Sequence, residues 1–174
     1  MQRGPRNTVN LNTTISGNPD FYGLSRESRL LIFSLLTCDY VIDFPGLFLM
    51  GPGTIGEMMH EDPKDVRQWM VELEKSGCAK IDHKKHVIWI VEANEYILPG
   101  KVHLGSLQKM LLAADRLPAC EVRNDAVLAL YDELGCSHAW PFGDREFRLI
   151  FPEIDFDKLP AAPTSVRSQS ALAT

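Results

Sequence analysis

Basic and amide side chains recur along the segment 63–76, and their spacing suits contact with a polyanion. They are Lys64, Arg67, Gln68 and Lys75. Such side chains donate hydrogen bonds to phosphate oxygens, and Arg67 and Gln68 also have the donors that read base edges in a DNA groove. Acidic residues lie among them, at Asp65, Glu72 and Glu74. The segment is therefore also typical of the solvated side of an amphipathic helix, and the sequence leaves both interpretations open.

A second group of basic residues forms the tetrapeptide 83–86, which reads His83-Lys84-Lys85-His86. It offers two permanent cations, and protonation of the histidines below about pH 6.5 adds to them. Phosphate contact is one interpretation, and a hairpin turn kept soluble by its lysines is the other. Near the N-terminus, Arg3 and Arg6 have the side chains with which extended arms reach into a minor groove.

The net charge works against simple binding to a polyanion. The chain carries a formal charge of -5, and residues 25–96 hold eight Lys and Arg against twelve Asp and Glu. Neutralisation of phosphates by Lys and Arg supplies most of the non-specific affinity for DNA. We therefore expect affinity to come from a local basic patch or from pairing of two copies, and to be sensitive to salt.

The sequence carries no GxSxG, HExxH or P-loop motif, and its acidic residues form no recognisable catalytic pair. Gly51, Gly53 and Gly56 match the GxGxxG pattern of dinucleotide-binding folds. However, Asp62-Pro63 interrupts the following helix after about two turns, which is too short for the crossover of that fold. We predict that the protein is not an enzyme and needs no cofactor.

Metal and disulfide patterns are equally weak. His83-x-x-His86 and Cys136-x-His138 each lack the second close pair of a structural zinc site. The four cysteines are widely spaced, which is typical of reduced, buried thiols. No apolar run approaches the length of a membrane span, and the N-terminus lacks the apolar stretch of a signal peptide. We expect a cytoplasmic protein that binds no metal and no membrane.

The strongest local signal marks the start and end of one helix, over residues 62–77. Asp62 is a good N-cap, Pro63 has the φ angle of a first helical position, and Gly77 is a typical left-handed stop. Apolar residues at helical spacing give this helix one buried side. They are Val66, Trp69, Met70 and Leu73.

The elements around this helix follow a recognisable order. A buried helix from Ser25 to about Thr37 precedes a short strand over 47–50 and a helix over 54–60. A strand, turn and strand over 78–91 follow the helix 62–77. This is the order of a winged helix, in which the third helix enters the major groove and 83–86 is the wing.

Two amphipathic helices, over about 104–117 and 123–134, extend this unit and either cover the wing or form a second lobe. The apolar segment 147–156 fits a fold-back onto the core, an edge strand or a partner-binding peptide. Residues from Ala161 have the composition of a disordered tail. The predicted divisions are an arm (1–19), a winged-helix domain (20–98), a helical extension (99–135) and an apolar segment with tail (136–174).

Several stretches within residues 18–98 resemble the N-terminal domain of phage replication-initiation proteins of the replisome-organiser type. They are Asp20-Phe21-Tyr22-Gly23-Leu24-Ser25, Arg29-Leu30-Leu31, Leu35-Leu36-Thr37, Gly46-Leu47-Phe48, Asp65-Val66, Leu73-Glu74-Lys75-Ser76-Gly77 and Val87-Ile88-Trp89-Ile90. Members often carry a longer C-terminal part than the residues that follow Gly135 here. The resemblance implies a mainly α, winged helix-turn-helix fold with a small β-hairpin, and a role in DNA replication.

The expected partners are double-stranded DNA, replication proteins and a second copy of the chain. In this hypothesis the DNA-contacting residues are Lys64, Arg67, Gln68, Lys75, His83, Lys84, Lys85 and His86. A phage-encoded protein of this kind acts in the host bacterial cytoplasm. Two alternatives remain open from the sequence, a winged helix used for protein–protein interaction and a transcriptional regulator that uses the same helix.

Overall fold

The computed structural model describes residues 19–38, 44–91, 93, 102–134 and 141–158. Its elements are α1 (Pro19–Tyr22), α2 (Arg26–Thr37), β1 (Leu47–Leu49), α3 (Pro52–Met59), α4 (Pro63–Lys75), β2 (Ala79–Asp82), β3 (Val87–Ile90), α5 (Leu104–Asp115), α6 (Glu121–Glu133), α7 (Pro141–Ile150) and a 3-10 turn (Phe156–Lys158). The predicted fold class is confirmed: the described chain is mainly helical, with a small sheet and the element order of a winged helix.

The three strands form one antiparallel sheet in the order β1-β3-β2. Leu47 of β1 lies opposite Trp89, and Ile81 of β2 lies opposite Ile88. Successive side chains of a strand point to opposite faces of the sheet. All four residues of the central strand β3 are buried, so helices cover the sheet on both faces.

Helices α2, α3 and α4 cover the first face and form the first layer. Apolar side chains of these helices and of the strands share one core, in which burial of each large side chain contributes about 1.5–3 kcal/mol. The core includes Leu31, Leu35, Leu36, Phe48, Ile55, Val66, Met70, Leu73, Ile81, Ile88 and Ile90. The buried side predicted for the helix 62–77 is confirmed, with Trp69 partly buried at its edge.

A tight turn joins α3 to α4, and the sequence specifies it at several points. The Asp62 side chain caps α4 by accepting a hydrogen bond from the Lys64 amide at 2.8 Å, and a proline follows the cap. A β-carbon at Gly56 would lie 2.7 Å from the Glu61 carbonyl oxygen, so only glycine fits where the two helices meet. Gly77 ends the α4 region with a φ of 79°, as predicted.

Helices α5, α6 and α7 cover the second face of the sheet and form the second layer. The predicted helices over 104–117 and 123–134 are confirmed, and α6 lies directly on β2 and β3. The extension thus covers the sheet of the wing. Its core joins strand and helix residues, including Leu47, Val87, Trp89, Leu107, Leu111, Val127, Leu130, Tyr131, Phe147 and Phe151.

The apolar segment 147–156 folds back onto this second core. It is the end of α7 followed by turns, and it forms no strand. Its buried side chains are Phe147, Phe151, Ile154 and Phe156. Arg123, only 3% exposed, links α6 to the segment through a 2.5 Å ion pair with Glu153, and its guanidinium lies 5.3 Å from the ring of Phe151.

Some sequence-based predictions concern residues outside the described ranges. They concern residues 1–18 of the predicted arm 1–19, including Arg3 and Arg6, the pair Cys136 and His138, and the tail from Ala161. Among the helices that are described, none has both the length and the apolar character needed to cross a membrane.

Candidate nucleic-acid interface

The outer face of α4 carries a stripe of exposed side chains that lie opposite its buried side. Lys64, Gln68, Val71 and Lys75 follow one another at intervals of four, three and four residues, which aligns them along one face of a helix. All four are exposed, and 41% of Val71 is accessible to solvent. We call this set the outer stripe. Arg67, also exposed, flanks it.

Hydrogen bonds from the N-terminal end of α2 hold one carboxylate of α4 away from the outer stripe. Glu72 accepts hydrogen bonds from the Ser25 amide at 2.6 Å, from the Ser25 hydroxyl at 2.6 Å and from the Ser28 hydroxyl at 2.5 Å. These hydrogen bonds lower the pKa of the Glu72 carboxyl, and the bond from the Ser25 side chain has the largest effect. Glu72 is therefore negatively charged in the fold, and its hydrogen bonds link the N-terminal end of α2 to α4.

A second carboxylate of α4 pairs with the wing. Glu74 Oε2 lies 2.8 Å from His83 Nε2, which places the tip of the hairpin beside the C-terminal half of α4. The remaining acidic side chain of α4, Asp65, is exposed near the helix start, where its negative charge interacts favourably with the positive end of the helix dipole. The outer stripe itself contains no carboxylate.

The turn of the wing is shaped by hydrogen bonds to Asp82 and by a left-handed residue. Asp82 Oδ1 accepts from the Lys84 amide at 3.0 Å and from the Lys85 amide at 2.9 Å. His86 has a φ of 57°, and its carbonyl oxygen accepts a hydrogen bond from the Met50 amide at 2.9 Å. The turn therefore presents a fixed, exposed tip.

The four side chains of this tip are exposed but differ in their contacts. His83 pairs with Glu74, and the ammonium of Lys85 donates a hydrogen bond to the Ala119 carbonyl in the second layer. The His86 ring lies against Gly51, where a β-carbon would be 3.2 Å from it. Within the described ranges, the side chain of Lys84 makes no hydrogen bond or ion pair. Lys84 is the wing cation best placed to meet a ligand.

The DNA-contacting residues proposed from the sequence thus fall into two groups. Lys64, Arg67, Gln68 and Lys75 lie together on the exposed side of α4, and Lys84 is exposed at the tip of the wing. His83, Lys85 and His86 are exposed but contact other parts of the chain. A further strand lysine, Lys80, is paired with Asp125 at 2.5 Å and lies over the Trp89 ring.

Val71 was not predicted from the sequence as a surface residue, because residue type alone assigns an apolar valine to the core. Its helical spacing could have shown its exposure, because it lies three residues after Gln68 and seven after Lys64, on the polar side of the helix. The partners of Glu72 were also missed, because Ser25 and Ser28 lie more than forty residues away in the sequence. Only the folded chain brings these residues together.

Within the described part of the chain, no group of three or more His, Cys, Asp or Glu side chains is arranged to hold a metal ion. Comparison with known proteins adds no assignment: no protein-family model matches the sequence, and neither the curated proteins nor the solved structures searched contain a match. The geometry of α4 and the wing is therefore what indicates a function.

Proposed function

We propose that this protein binds double-stranded DNA, with α4 in the major groove and the wing beside it. The observation that carries the proposal is the outer stripe, an exposed face with lysines at both ends and no carboxylate. Phosphate contacts position a protein on DNA, and contacts to base edges give sequence preference. A helix of this size fits the major groove, which is about 12 Å wide.

The arrangement of charges supports this proposal despite the formal charge of -5. Two of the three carboxylates on α4 point away from the outer stripe, Glu72 towards Ser25 and Ser28 and Glu74 towards His83. The cations Lys64, Arg67 and Lys75 remain exposed on the same helix. Local potential, more than total charge, determines where a polyanion binds.

The cellular role that we propose is initiation of DNA replication or an accessory part in it, as the resemblance to phage replisome organisers implies. Transcriptional regulation through the same helix is the alternative role. Recovery of palindromic operator-like sites from a random duplex library would favour the regulator, because paired half-sites mirror a two-fold symmetric dimer.

The experiment that tests DNA binding compares two triple variants of equal charge change. The first, Lys64→Ala/Arg67→Ala/Lys75→Ala, removes the cations of α4. The second, Lys109→Ala/Arg116→Ala/Arg145→Ala, removes exposed cations of the second layer. Fluorescence anisotropy of a labelled duplex, titrated with the protein at salt concentrations from about 50 to about 200 mM, measures the affinity and its salt dependence. DNA binding by phosphate contacts weakens strongly over this range.

For the wild type, four contacting cations predict a slope of log K against log salt of about -3.6. The α4 variant should lose about three quarters of that slope, and the second-layer variant should keep most of it. An equal loss of slope in both variants would show that DNA is bound by non-specific electrostatic attraction and not by the face of α4. Absence of binding at low salt would overturn the proposal.

A second candidate function, protein–protein interaction, is supported by an apolar surface on the first layer. Tyr22 is 60% exposed, and Leu30 and Phe33 of α2 are 53% and 36% exposed. The ring of Phe21 contacts both Tyr22 and Phe33. Exposed apolar patches of this kind often mark interfaces.

A second copy of the chain is the partner that can be tested directly. If this surface forms a dimer, light scattering should show self-association, and Leu30→Glu/Phe33→Glu should abolish it. Leu112→Glu, a change at a 48% exposed leucine of α5, is the matched control. A monomer at all concentrations would exclude self-association through this surface.

A further inference from the structure

We infer that the outer stripe is built to read a site containing adjacent A·T base pairs, with Gln68 on an adenine and Val71 on a thymine methyl group. This inference rests on the proposed DNA binding and names the ligand that the same face selects. It follows from the order of side chains along α4, in which a cation, an amide, an apolar residue and a cation succeed one another.

The two central residues have the chemistry that distinguishes A·T pairs in the major groove. The amide of Gln68 can donate to N7 and accept from N6 of adenine, which is the paired contact typical of glutamine. The side chain of Val71, 41% exposed, has no donor or acceptor and fits the C5-methyl group of thymine. No carboxylate lies in the stripe to accept from the amino group of cytosine.

The spacing along α4 fits two neighbouring base pairs. Gln68 and Val71 are separated by a rise of about 4.5 Å along the helix axis. Successive base pairs are about 3.4 Å apart along the duplex. Since both residues lie on one face, a helix seated in the groove presents them to adjacent pairs.

The two ends of the stripe suit the phosphates that border the groove. Lys64 and Lys75 are separated by about 16 Å along the axis, which exceeds the width of the major groove of about 12 Å. Their flexible side chains can therefore reach the two backbones while the centre of the helix faces the bases. Arg67, on the flank of the stripe, is placed for a phosphate and not for the base that Gln68 contacts.

The alternative within the same site is guanine recognition by Arg67. Arginine is the side chain that most often contacts guanine, through paired hydrogen bonds to O6 and N7. It would give a G·C preference that depends on Arg67 and is indifferent to Gln68 and Val71. The two assignments thus make opposite predictions about the sequence that is selected.

The test begins with selection from a random duplex library by the full-length protein, followed by affinity measurements on the selected duplex. Replacing thymidine by deoxyuridine removes the C5-methyl group, and replacing adenine by 7-deazaadenine removes N7. We expect the first change to weaken wild-type binding about fourfold. We expect the second to weaken it about fivefold or more.

The variants connect each analogue to one side chain. In Val71→Ala the deoxyuridine penalty should fall towards onefold while the 7-deazaadenine penalty persists, and Gln68→Ala should give the reverse pattern. Both residues are exposed, so both variants should fold, which circular dichroism verifies. The salt dependence of binding should stay as in the wild type, because no cation is removed.

Three results would overturn the inference. Salt-dependent binding without any base preference would leave the proposed function intact and remove this assignment. A G·C preference that disappears in Arg67→Ala would transfer base recognition to the arginine. Failure to bind any duplex at low salt would overturn the proposed function and this inference with it.

Discussion

The two helical layers on the sheet use their charged side chains in opposite ways. In the second layer, the cations Arg123 and Arg148 are held by carboxylates, with Glu153 on the first and Asp144 and Asp157 on the second. In α4 of the first layer, serines and a histidine hold two of the three carboxylates, and Asp65 is exposed. The lysines of the outer stripe are left exposed.

This difference shows why composition is a poor guide to a binding face. The charge of a cation that is paired within the chain is offset by its partner, whereas an exposed cation on a face without carboxylates contributes to a positive local potential. The second layer has its own exposed cations, at Lys109, Arg116 and Arg145. Lys109 and the C-cap residue Arg116 lie seven residues apart on one face of α5, and Arg145 lies on α7. The three therefore span two elements, whereas all the cations of the outer stripe lie on α4.

The largest expected effect concerns the packing of the second layer. Phe147 is fully buried, and its ring centroid lies 5.2 Å from that of Tyr131. Phe147→Ala should lower the free energy of unfolding by about 3–5 kcal/mol, because it leaves a cavity as well as losing apolar burial. Urea denaturation followed by circular dichroism measures this change.

The neighbouring Leu149→Ala, at a position that is 69% exposed, is the control and should stay within about 0.5 kcal/mol of the wild type. A similarly small effect of Phe147→Ala would mean that the second layer contributes little to stability.

A smaller effect is expected from the carboxylate that joins α2 to α4. Glu72→Gln keeps the shape of the side chain but removes charge-assisted bonds from Ser25 and Ser28, which should cost about 1.5 kcal/mol at neutral pH. The lowered pKa of Glu72 stabilises the fold fully above its ordinary pKa of 4.5. That contribution is lost as the pH falls through the lower pKa of the folded state.

The stability difference between the wild type and Glu72→Gln should consequently shrink as the pH is lowered below 4.5. Urea denaturation over a pH series measures it. Glu57→Gln, at an exposed position of α3, is the matched control. A difference that does not change with pH would show that the charge of Glu72 is not what holds the two helices.

The corresponding test in the second layer concerns Tyr131, whose hydroxyl donates a hydrogen bond to Asp144 at 2.6 Å. Tyr131→Phe should cost about 1 kcal/mol. Burial, and then the interaction with Asp144, raises the pKa of Tyr131 to about 12. The neutral phenol therefore stabilises the fold below its ordinary pKa of 10, and this contribution is lost as the pH rises towards 12.

Ultraviolet titration should show a late ionisation step near pH 12 in the folded wild type that is lost in Tyr131→Phe. Tyr22→Phe, at a 60% exposed position, should leave that late step unchanged. Ionisation of every tyrosine near pH 10 would contradict the burial of Tyr131 against Asp144.

The local parts of this architecture could be predicted from the sequence, because short-range chemistry determines them. The cap at Asp62, the stop at Gly77 and the amphipathic period between them define α4 without any distant contact. The exposure of Lys64 and Gln68 follows from the same period. Their function stays a prediction, since exposure alone does not identify a ligand.

The long-range pairings could not be predicted in this way. Glu72 meets Ser25 across 47 residues, and Arg123 meets Glu153 across 30. Many acidic side chains compete for such partners in the sequence, and only the packed fold selects one. The segment 147–156 shows the same limit, because its apolar residues fit both a strand and the helical fold-back that is observed.

The smallest predicted effect separates two adjacent lysines of the wing, and it depends on the proposed DNA binding. The Lys84 side chain is exposed without a partner among the described residues, whereas the Lys85 ammonium contacts the Ala119 carbonyl of the second layer. Lys84→Ala should reduce the slope of log K against log salt by about 0.9, the value for one lost phosphate contact. Lys85→Ala should leave that slope nearly unchanged, because its ammonium is already held by the protein. Anisotropy titrations of the two variants make the comparison at equal charge. The reverse order would place the second layer, and not α4, beside the DNA.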